Sequence, residues 1–139
     1  MHHFIRQAIT LILTITLFSS SAFAISISGT FRTETNDEGG YLYVEMIPCE
    51  TDSSKVCGKI KTAFREVDNG VSNPDYEHLG KLIVWDMEDH GDGTYSGGKI
   101  WAPDEDKIYK SKMRKEGDKL IVKGCILFIC RGQDWIPVN

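Results

Sequence analysis

The sequence predicts an all-β protein, a small antiparallel barrel or sandwich of about eight strands. After residue 24, apolar and polar residues alternate in short runs, as they do in strands that have one buried face. Clusters of Gly, Asn, Asp and Pro separate these runs at the spacing of about 8–12 residues that is typical of such folds. No run after residue 24 has the spacing of apolar residues that a helix requires.

The first 24 residues are interpreted as a cleaved signal peptide rather than as part of the fold. Arg6 supplies positive charge, residues 8–18 form an apolar run, and residues 22–24 fit the small-residue rule for cleavage. The run has 11 residues, which is short of the roughly 20 that span a membrane. We therefore expect an exported protein, periplasmic or secreted, in which residues 25–139 form a single domain with no stable membrane insertion.

The expected domain is small and mildly acidic. Without Arg6, 15 basic and 20 acidic residues remain, a formal charge of −5. This balance argues against a nucleic-acid partner. A domain of this length buries about two-thirds of its unfolded surface, so a core is feasible without a metal.

Each predicted strand has its own pattern. The first six are residues 27–35, 41–47, 57–63, 79–87, 95–102 and 107–114. In the first three, alternation places these side chains together on one face: Ile27, Gly29, Phe31 and Thr33; Leu42, Val44 and Met46; Gly58, Ile60 and Thr62. The fourth strand is apolar on both faces, so we expect both to be covered. Gly97 and Gly98 predict a bend or bulge in the fifth.

Two further segments connect or follow these strands. Residues 64–78 contain Asn and Asp turn signals and are predicted to form a long loop, a type of connection that often carries function. Residues 120–135 predict a hairpin, in which the wholly apolar segment 126–129 connects two strands. Because exposed apolar runs promote aggregation, we expect this segment to be buried under a neighbour rather than exposed as a hydrophobic knob.

The four cysteines all follow residue 24, and an even number in an exported chain predicts disulfides. Of the three pairings, Cys49 with Cys57 and Cys125 with Cys130 demands least from the fold, because each bridge closes a local loop. Loop entropy gives about 2.6 and 2.2 kcal/mol for the two bridges. A four-thiolate zinc site is disfavoured, since no two cysteines have the C-x₂-C spacing.

Short motifs are spread along nearly the whole mature chain. They are Gly29-x-Phe31, Cys57-Gly58, Asn73-Pro74, Gly97-Gly98-x-Ile100-Trp101-x-Pro103, Tyr109, Lys112-Met113 and Gly124-Cys125…Cys130-Arg131-x-Gln133-x-Trp135. Together they resemble a family of small exported bacterial proteins, the domain of unknown function 2147, although tryptophan is typical at Phe31 and the segment 126–129 lacks the usual glycine. The resemblance implies a lipocalin-like, up-and-down β-barrel of the bacterial envelope that binds a small molecule and has no established activity.

No metal site, cofactor or enzymatic activity is predicted. Read as a calcium loop, the acidic turn at residues 88–93 would place Lys99 where a bidentate glutamate is required. His78 and His90 are the only histidines after residue 24, and the common hydrolase, phosphate-loop and dinucleotide motifs are absent. Cysteines that are locked in disulfides leave no obvious nucleophile.

Charge is distributed unevenly along the chain. Residues 86–106 carry seven acidic residues and one lysine, whereas residues 107–123 carry seven basic and two acidic residues. The favoured interpretation is that neighbouring strands of opposite charge attract each other across a hairpin, since surface charges are usually only solvated. The other interpretation is that Lys110, Lys112 and Arg114 draw an anionic head group toward the barrel.

The leading functional hypothesis is a barrel that binds a small apolar or amphipathic ligand in its interior. The residues predicted to bind it are Phe31, Trp85, Trp101, Tyr109, Met113, Arg131, Gln133 and Trp135. Arg131 either orients a carboxylate together with Gln133, or closes the barrel end over an aromatic ring. The alternative hypothesis is an interaction module that binds another envelope protein through segment 126–129, in which case the interior would be filled.

Overall fold

The predicted strands close into a barrel. The computed structural model describes residues 27–139, and the expected signal peptide lies outside them. Eight antiparallel strands follow one another in chain order, and the first pairs with the last. They are β1 (Gly29–Arg32), β2 (Gly40–Pro48), β3 (Lys55–Arg65), β4 (Leu82–Asp89), β5 (Thr94–Ala102), β6 (Lys107–Glu116), β7 (Lys119–Ile126) and β8 (Ile129–Val138). The predicted all-β class and up-and-down barrel are confirmed.

The two ends of the barrel differ in their connections. One end, which we call the floor, carries the connections 49–54, 90–93 and 117–118. The other end, which we call the mouth, carries 33–39, 66–81, 103–106 and 127–128. At the mouth, the side-chain amide of Asn36 donates a hydrogen bond of 2.8 Å to the carboxylate of Asp104. This bond joins the loop after β1 to the loop after β5, on the opposite side of the barrel.

The barrel interior is filled by side chains. Met46, Met87, Tyr95, Leu120 and Trp135 are each at most 2% exposed and belong to one packed cluster. Two interior glycines show how little space is left. A Cβ on Gly58 would lie 3.0 Å from Val44, and a Cβ on Gly98 would lie 2.4 Å from the sulfur of Met87. The barrel is therefore of the kind that its own side chains fill.

Bulges alter some of the predicted faces. Tyr43 pairs with Thr62, but the next residue of β2, Val44, pairs with Ile60. The additional residue reverses the alternation, so Ala63 is buried and Thr62 is only half-buried. The prediction that Thr62 faces the core is wrong for this reason. The predicted irregularity at Gly97 and Gly98 is confirmed, because the β5–β6 register shifts between Tyr95 and Gly98.

The fourth strand begins later than the sequence predicts. Residues 79–81 belong to the preceding connection, in which Gly80 has a φ of 81° and donates its N–H to the carbonyl of Ile60. Leu82 is 40% exposed, so the expectation that both faces of this strand are covered is wrong at its first residue. Register shifts against β3 account for this, because they alter which side chains of β4 point inward.

The long loop between β3 and β4 extends the sheet toward the mouth. Ser72 pairs with Phe64, and the N–H of Asn73 donates to the carbonyl of Ala63. The loop thus continues along the edge of β3 where β4 has not yet begun. It opens with a single 3-10 turn, Glu66–Asp68. Within residues 27–139, no helix is long and apolar enough to cross a membrane.

The predicted disulfide pairing is confirmed. Cys49 is bonded to Cys57 at the floor, and Cys125 is bonded to Cys130 near the mouth. No cysteine in the described part of the chain is free. Two disulfides in a domain of this size are typical of proteins in an oxidising compartment outside the cytoplasm.

Candidate functional site

The residues predicted to bind a ligand lie in three different environments. Phe31, Met113 and Trp135 are buried in the barrel interior. Tyr109, Arg131 and Gln133 lie toward the mouth, where Tyr109 is half-buried and the other two are exposed. Trp85 is half-buried, and it alternates with the inward-facing Val84, which places it on the outer face. Trp101 is also half-buried, at the mouth end of β5, where it packs against the edge of the core cluster and against the ring of His78. The structure therefore does not bring these residues together around one cavity.

In the interior, the indole N–H of Trp135 has a hydrogen-bond partner within the protein. It donates a hydrogen bond of 3.0 Å to the side-chain oxygen of Gln133. The indole is 1% exposed, and Trp135 pairs with Leu120 across β7 and β8. A buried indole N–H requires such a partner. Gln133 thus has a structural contact in this state of the protein.

At the mouth, Tyr109 and Glu105 form a short hydrogen bond. The phenol of Tyr109 donates to the carboxylate of Glu105 at 2.5 Å. This bond raises the pKa of Tyr109 above its usual value, and partial burial and the negative charge of Glu105 add to it, whereas the positive charge of Arg131 acts in the opposite direction. Arg131 lies opposite Gly124 in the β7–β8 register.

Arg131 does not stack on an aromatic ring. Among residues 27–139 the cation–π contacts are Arg32 over Tyr41, at 4.0 Å, and Lys81 over Trp101, at 5.9 Å. The predicted cation–π contact, in which Arg131 closes the barrel end over an aromatic ring, is therefore not formed. That Arg131 orients a ligand carboxylate stays a prediction.

We expect Arg131→Met to change the free energy of unfolding by less than about 0.5 kcal/mol, as for other exposed side chains without special contacts. The pKa of Tyr109 should rise further, because the guanidinium no longer favours the phenolate. Urea melts and ultraviolet titration of the phenols would measure both quantities, with Tyr109→Phe to identify the signal. Lys115→Met, near the floor, is the matched control. A stability loss above about 1 kcal/mol would show a structural role for Arg131.

The apolar hairpin connection projects from the mouth. We call residues 126–129 the tip. Ile126 pairs with Ile129, so only Leu127 and Phe128 form the turn. Leu127 is 89% exposed and Phe128 is 100% exposed. The expectation that this segment is buried is wrong, because pairing between β6 and β7 ends at Lys110 and Cys125, and the tip extends past it.

The turn of the tip has a conformation that its sequence does not favour. Leu127 has a φ of 52°, in the left-handed region that glycine, asparagine and aspartate adopt most readily. A leucine there is strained, and its exposed side chain gains no burial that would offset the strain. Strain of this kind in a solvent-exposed turn is a reason to look for a function.

Two open grooves lie on the outer surface of the barrel. One has a volume of about 380 Å³ and is lined by Ile47, Leu82, Trp85 and the Cys49–Cys57 disulfide, among others. The other has a volume of about 410 Å³, and its lining includes His90, Lys112, Arg114, Ile121 and Lys123. Both are outside the barrel, so neither corresponds to the interior ligand site that the sequence predicts.

The carboxylates of the acidic turn after β4 accept hydrogen bonds from the turn itself. Asp89 accepts one from the N–H of Gly91, at 2.8 Å, and Asp92 accepts one from the N–H of Thr94, at 3.0 Å. The hydrogen bonds from the Thr94 side chain and backbone hold the pKa of Asp92 below its usual value. In the described part of the chain, no three His, Cys, Asp or Glu side chains are grouped so that they could hold a metal ion.

The family model described as "Uncharacterized protein conserved in bacteria (DUF2147)" matches residues 29–136, from the start of β1 almost to the end of β8. The chain belongs to this family. The resemblance seen in the sequence motifs is thereby confirmed. The description assigns no activity to DUF2147 proteins. No curated protein matches the chain.

A solved structure of another protein has a fold similar to that of this DUF2147 chain. It is titled "Protein HP1028 from the human pathogen Helicobacter pylori belongs to the lipocalin family". The two chains are 15% identical, the similarity covers 84% of this chain and 85% of that chain, and the TM-score is 0.62. At this level of identity the similarity establishes the fold alone, which is lipocalin-like.

Sequence reasoning missed the exposure of the tip in this DUF2147 barrel. A signal for it was present, since Leu127 and Phe128 occupy turn positions where polar residues or glycine are usual. The flanking Cys125 and Cys130 were a second signal, because a local disulfide can hold a turn that has no cover. Aggregation risk favours burial of an apolar run, but in this hairpin the disulfide holds a turn whose side chains are exposed.

Proposed function

We propose that this protein is a docking module of the bacterial envelope that binds another envelope component through the tip. The exposure of Leu127 and Phe128 carries the proposal, since both side chains are almost entirely in solvent. Exposed contiguous apolar residues on a folded domain are typical of interaction sites.

The energetics of the tip support docking. Burying a leucine or phenylalanine side chain in a partner contributes about 1.5–3 kcal/mol each. The Cys125–Cys130 disulfide lies directly behind the turn and holds it in one conformation. A preorganised turn loses less conformational entropy on binding than a flexible loop does. Leu127 and Phe128 are therefore suited to be the main contributors to binding.

The filled interior argues against a carrier. A carrier of small molecules needs an enclosed void, usually of about 300 Å³ or more. Here the inward side chains form one packed cluster, and a Cβ on Gly58 would lie 3.0 Å from Val44 and a Cβ on Gly98 2.4 Å from the sulfur of Met87. Binding of an apolar ligand inside the barrel, the leading hypothesis from the sequence, therefore stays a prediction that the packing does not favour.

The predicted location agrees with docking in the envelope. The sequence predicts an export signal, and the two disulfides are of the kind that persist outside the cytoplasm. The family is described as bacterial. A secreted or periplasmic protein with such a tip would meet envelope proteins and membranes before other partners.

Sedimentation with washed bacterial envelopes tests the proposal. We expect the purified mature protein to co-sediment, and the double variant Leu127→Ser/Phe128→Ser to bind about a hundredfold more weakly or worse, because two apolar contacts are lost. The matched control is Val67→Ser/Val71→Ser, which removes two exposed valines of the long loop. Circular dichroism and thiol counting would verify that each variant is folded.

Two outcomes would contradict docking through the tip. One is that the wild type and the tip variant bind envelopes equally well, or that neither binds. The other is a small molecule that co-purifies in stoichiometric amount, seen by native mass spectrometry, and remains bound in the tip variant. That result would restore the carrier hypothesis and direct attention to Tyr109 and Arg131 at the mouth.

A further inference from the structure

The outer face of β5, β6 and β7 carries four lysines in two directly opposed pairs. Lys99 lies opposite Lys110, and Lys112 lies opposite Lys123. All four are exposed, and none takes part in the salt bridges formed within residues 27–139. Like charges directly opposite each other destabilise a sheet. We call these four lysines the basic face.

The basic face is unusual for this chain, whose overall formal charge is negative, −4. Residues that repel each other across a sheet do not stabilise the fold. Their arrangement is explained if an anionic partner neutralises them on binding. The favoured interpretation from the sequence, mutual attraction of neighbouring strands, does not account for the Lys99–Lys110 pair.

The basic face is continuous with the tip. Lys110 lies directly opposite Cys125, and Lys123 precedes Cys125 by two residues on the same strand. The apolar surface also extends along this side, because Ile108 is 59% exposed and lies two residues before Lys110 in β6, which places both side chains on the same outer face. The apolar side chains therefore lie at the end of the hairpin, and the lysines lie farther from that end on the same side of the barrel.

The spacing between the two features matches a lipid surface. A strand rises about 3.3 Å per residue, so the level of Lys110 is roughly 7 Å behind Leu127 and that of Lys123 roughly 13 Å behind it. Apolar groups of peripheral proteins enter a bilayer to a depth of about 5–10 Å, at the boundary between head groups and acyl chains. A tip inserted to that depth would bring both lysine pairs to the level of the lipid head groups.

The mouth also carries negative charge, because ten acidic residues lie on the connections 33–39, 66–81 and 103–106. Three of them accept hydrogen bonds from the protein: Asp104 from Asn36, Glu105 from Tyr109 and Asp106 from the indole of Trp101. The basic face, on the outer face of the sheet, is therefore the surface beside the tip that an anionic partner would contact. The lysines of the basic face have no comparable partners among the described residues. A second copy of the chain is a poorer occupant than a bilayer, because two tips in contact would bring two basic faces together.

We propose that the tip inserts into the surface of an anionic lipid bilayer while the basic face binds the head groups. This inference rests on the proposed function and names its partner. The interaction is interfacial: the side chains of residues 126–129 enter the membrane, and the barrel remains outside it.

Vesicles of defined composition test the proposal. We expect the mature protein to co-sediment with phosphatidylglycerol-containing vesicles, far less with pure phosphatidylcholine, and less as salt rises. Lys112→Gln and Lys123→Gln should each weaken binding about fivefold, with no loss of stability because a repulsive pair is relieved. Leu127→Ser/Phe128→Ser should abolish binding. The matched control, Lys59→Gln/Lys61→Gln, removes two lysines of β3 and should bind as the wild type does.

A spectroscopic probe reports insertion directly. In Phe128→Trp, the indole emission should shift to shorter wavelength with phosphatidylglycerol vesicles, and lipid-attached quenchers should reduce it. Tip-dependent binding to envelopes without binding to protein-free vesicles would overturn the lipid proposal in favour of a protein partner, and docking would stand. If the protein bound neither envelopes nor protein-free vesicles, the lipid proposal and the docking proposal would both be overturned. A dimer that the tip variant loses, without vesicle binding, would identify a second copy as the occupant and overturn the lipid proposal.

Discussion

Replacing Trp135 by alanine is expected to lower the free energy of unfolding by about 3–5 kcal/mol. Trp135 is among the largest fully buried side chains, and it packs in the cluster that fills the barrel. Alanine removes the indole contacts and leaves a void that a closed barrel cannot collapse to fill. Small domains have a total stability of about 5–15 kcal/mol, so this change would remove a large fraction of it.

Urea unfolding measures the effect, and Trp101→Ala is the matched control. Trp101 is only half-buried, at the edge of the core cluster, so the loss of stability in Trp101→Ala should be clearly smaller. The void also provides a second measurement, since a small apolar molecule such as benzene should bind the Trp135 variant and raise its midpoint, but not that of the wild type. A loss below about 1 kcal/mol would mean that the interior is not filled, and would support the carrier hypothesis.

Replacing Gly98 by alanine is the second change with a large expected effect. A Cβ at this position would lie 2.3 Å from the backbone oxygen of Trp85 and 2.4 Å from the sulfur of Met87. The sulfur can move, but the oxygen belongs to the neighbouring strand and cannot shift without distorting it. We expect a stability loss of about 3 kcal/mol, at the upper end of what overpacking causes.

Gly132→Ala is the control for this change. The space around Gly132 is open enough for a Cβ, whose nearest neighbour would be Lys123 at 3.4 Å. Alanine there should leave stability unchanged or raise it by about 0.4–1 kcal/mol, because it restricts the unfolded chain. Equal stability of the two variants would contradict the close approach of β4 and β5 at the bulge.

Features that depend on local pattern were predictable. The alternation of Val44 and Met46 with polar neighbours indicates a strand with one buried face, and the structure buries both side chains. The two disulfides followed from loop length, because Cys49 and Cys57, like Cys125 and Cys130, are close along the chain. The glycine pair at Gly97 and Gly98 indicated an irregular strand for a local steric reason.

The predicted site was only partly recovered, because its residues belong to different strands. Phe31, Met113 and Trp135 share the interior, but they are packed there rather than arranged around a void. The β4 strand is apolar on both faces, so alternation could not tell which way Trp85 points. Register shifts at the bulges then decided which side chains face inward.

By itself the sequence determined the all-β class, the number of strands, the disulfide pairs and the family, because each depends on short patterns or neighbouring residues. Only the tertiary structure decided that the barrel is filled, that residues 126–129 project into solvent, and that Lys99 meets Lys110 and Lys112 meets Lys123. These features depend on where strands end and which residues stand opposite each other. Such pairings join distant parts of the chain, and no local pattern specifies them.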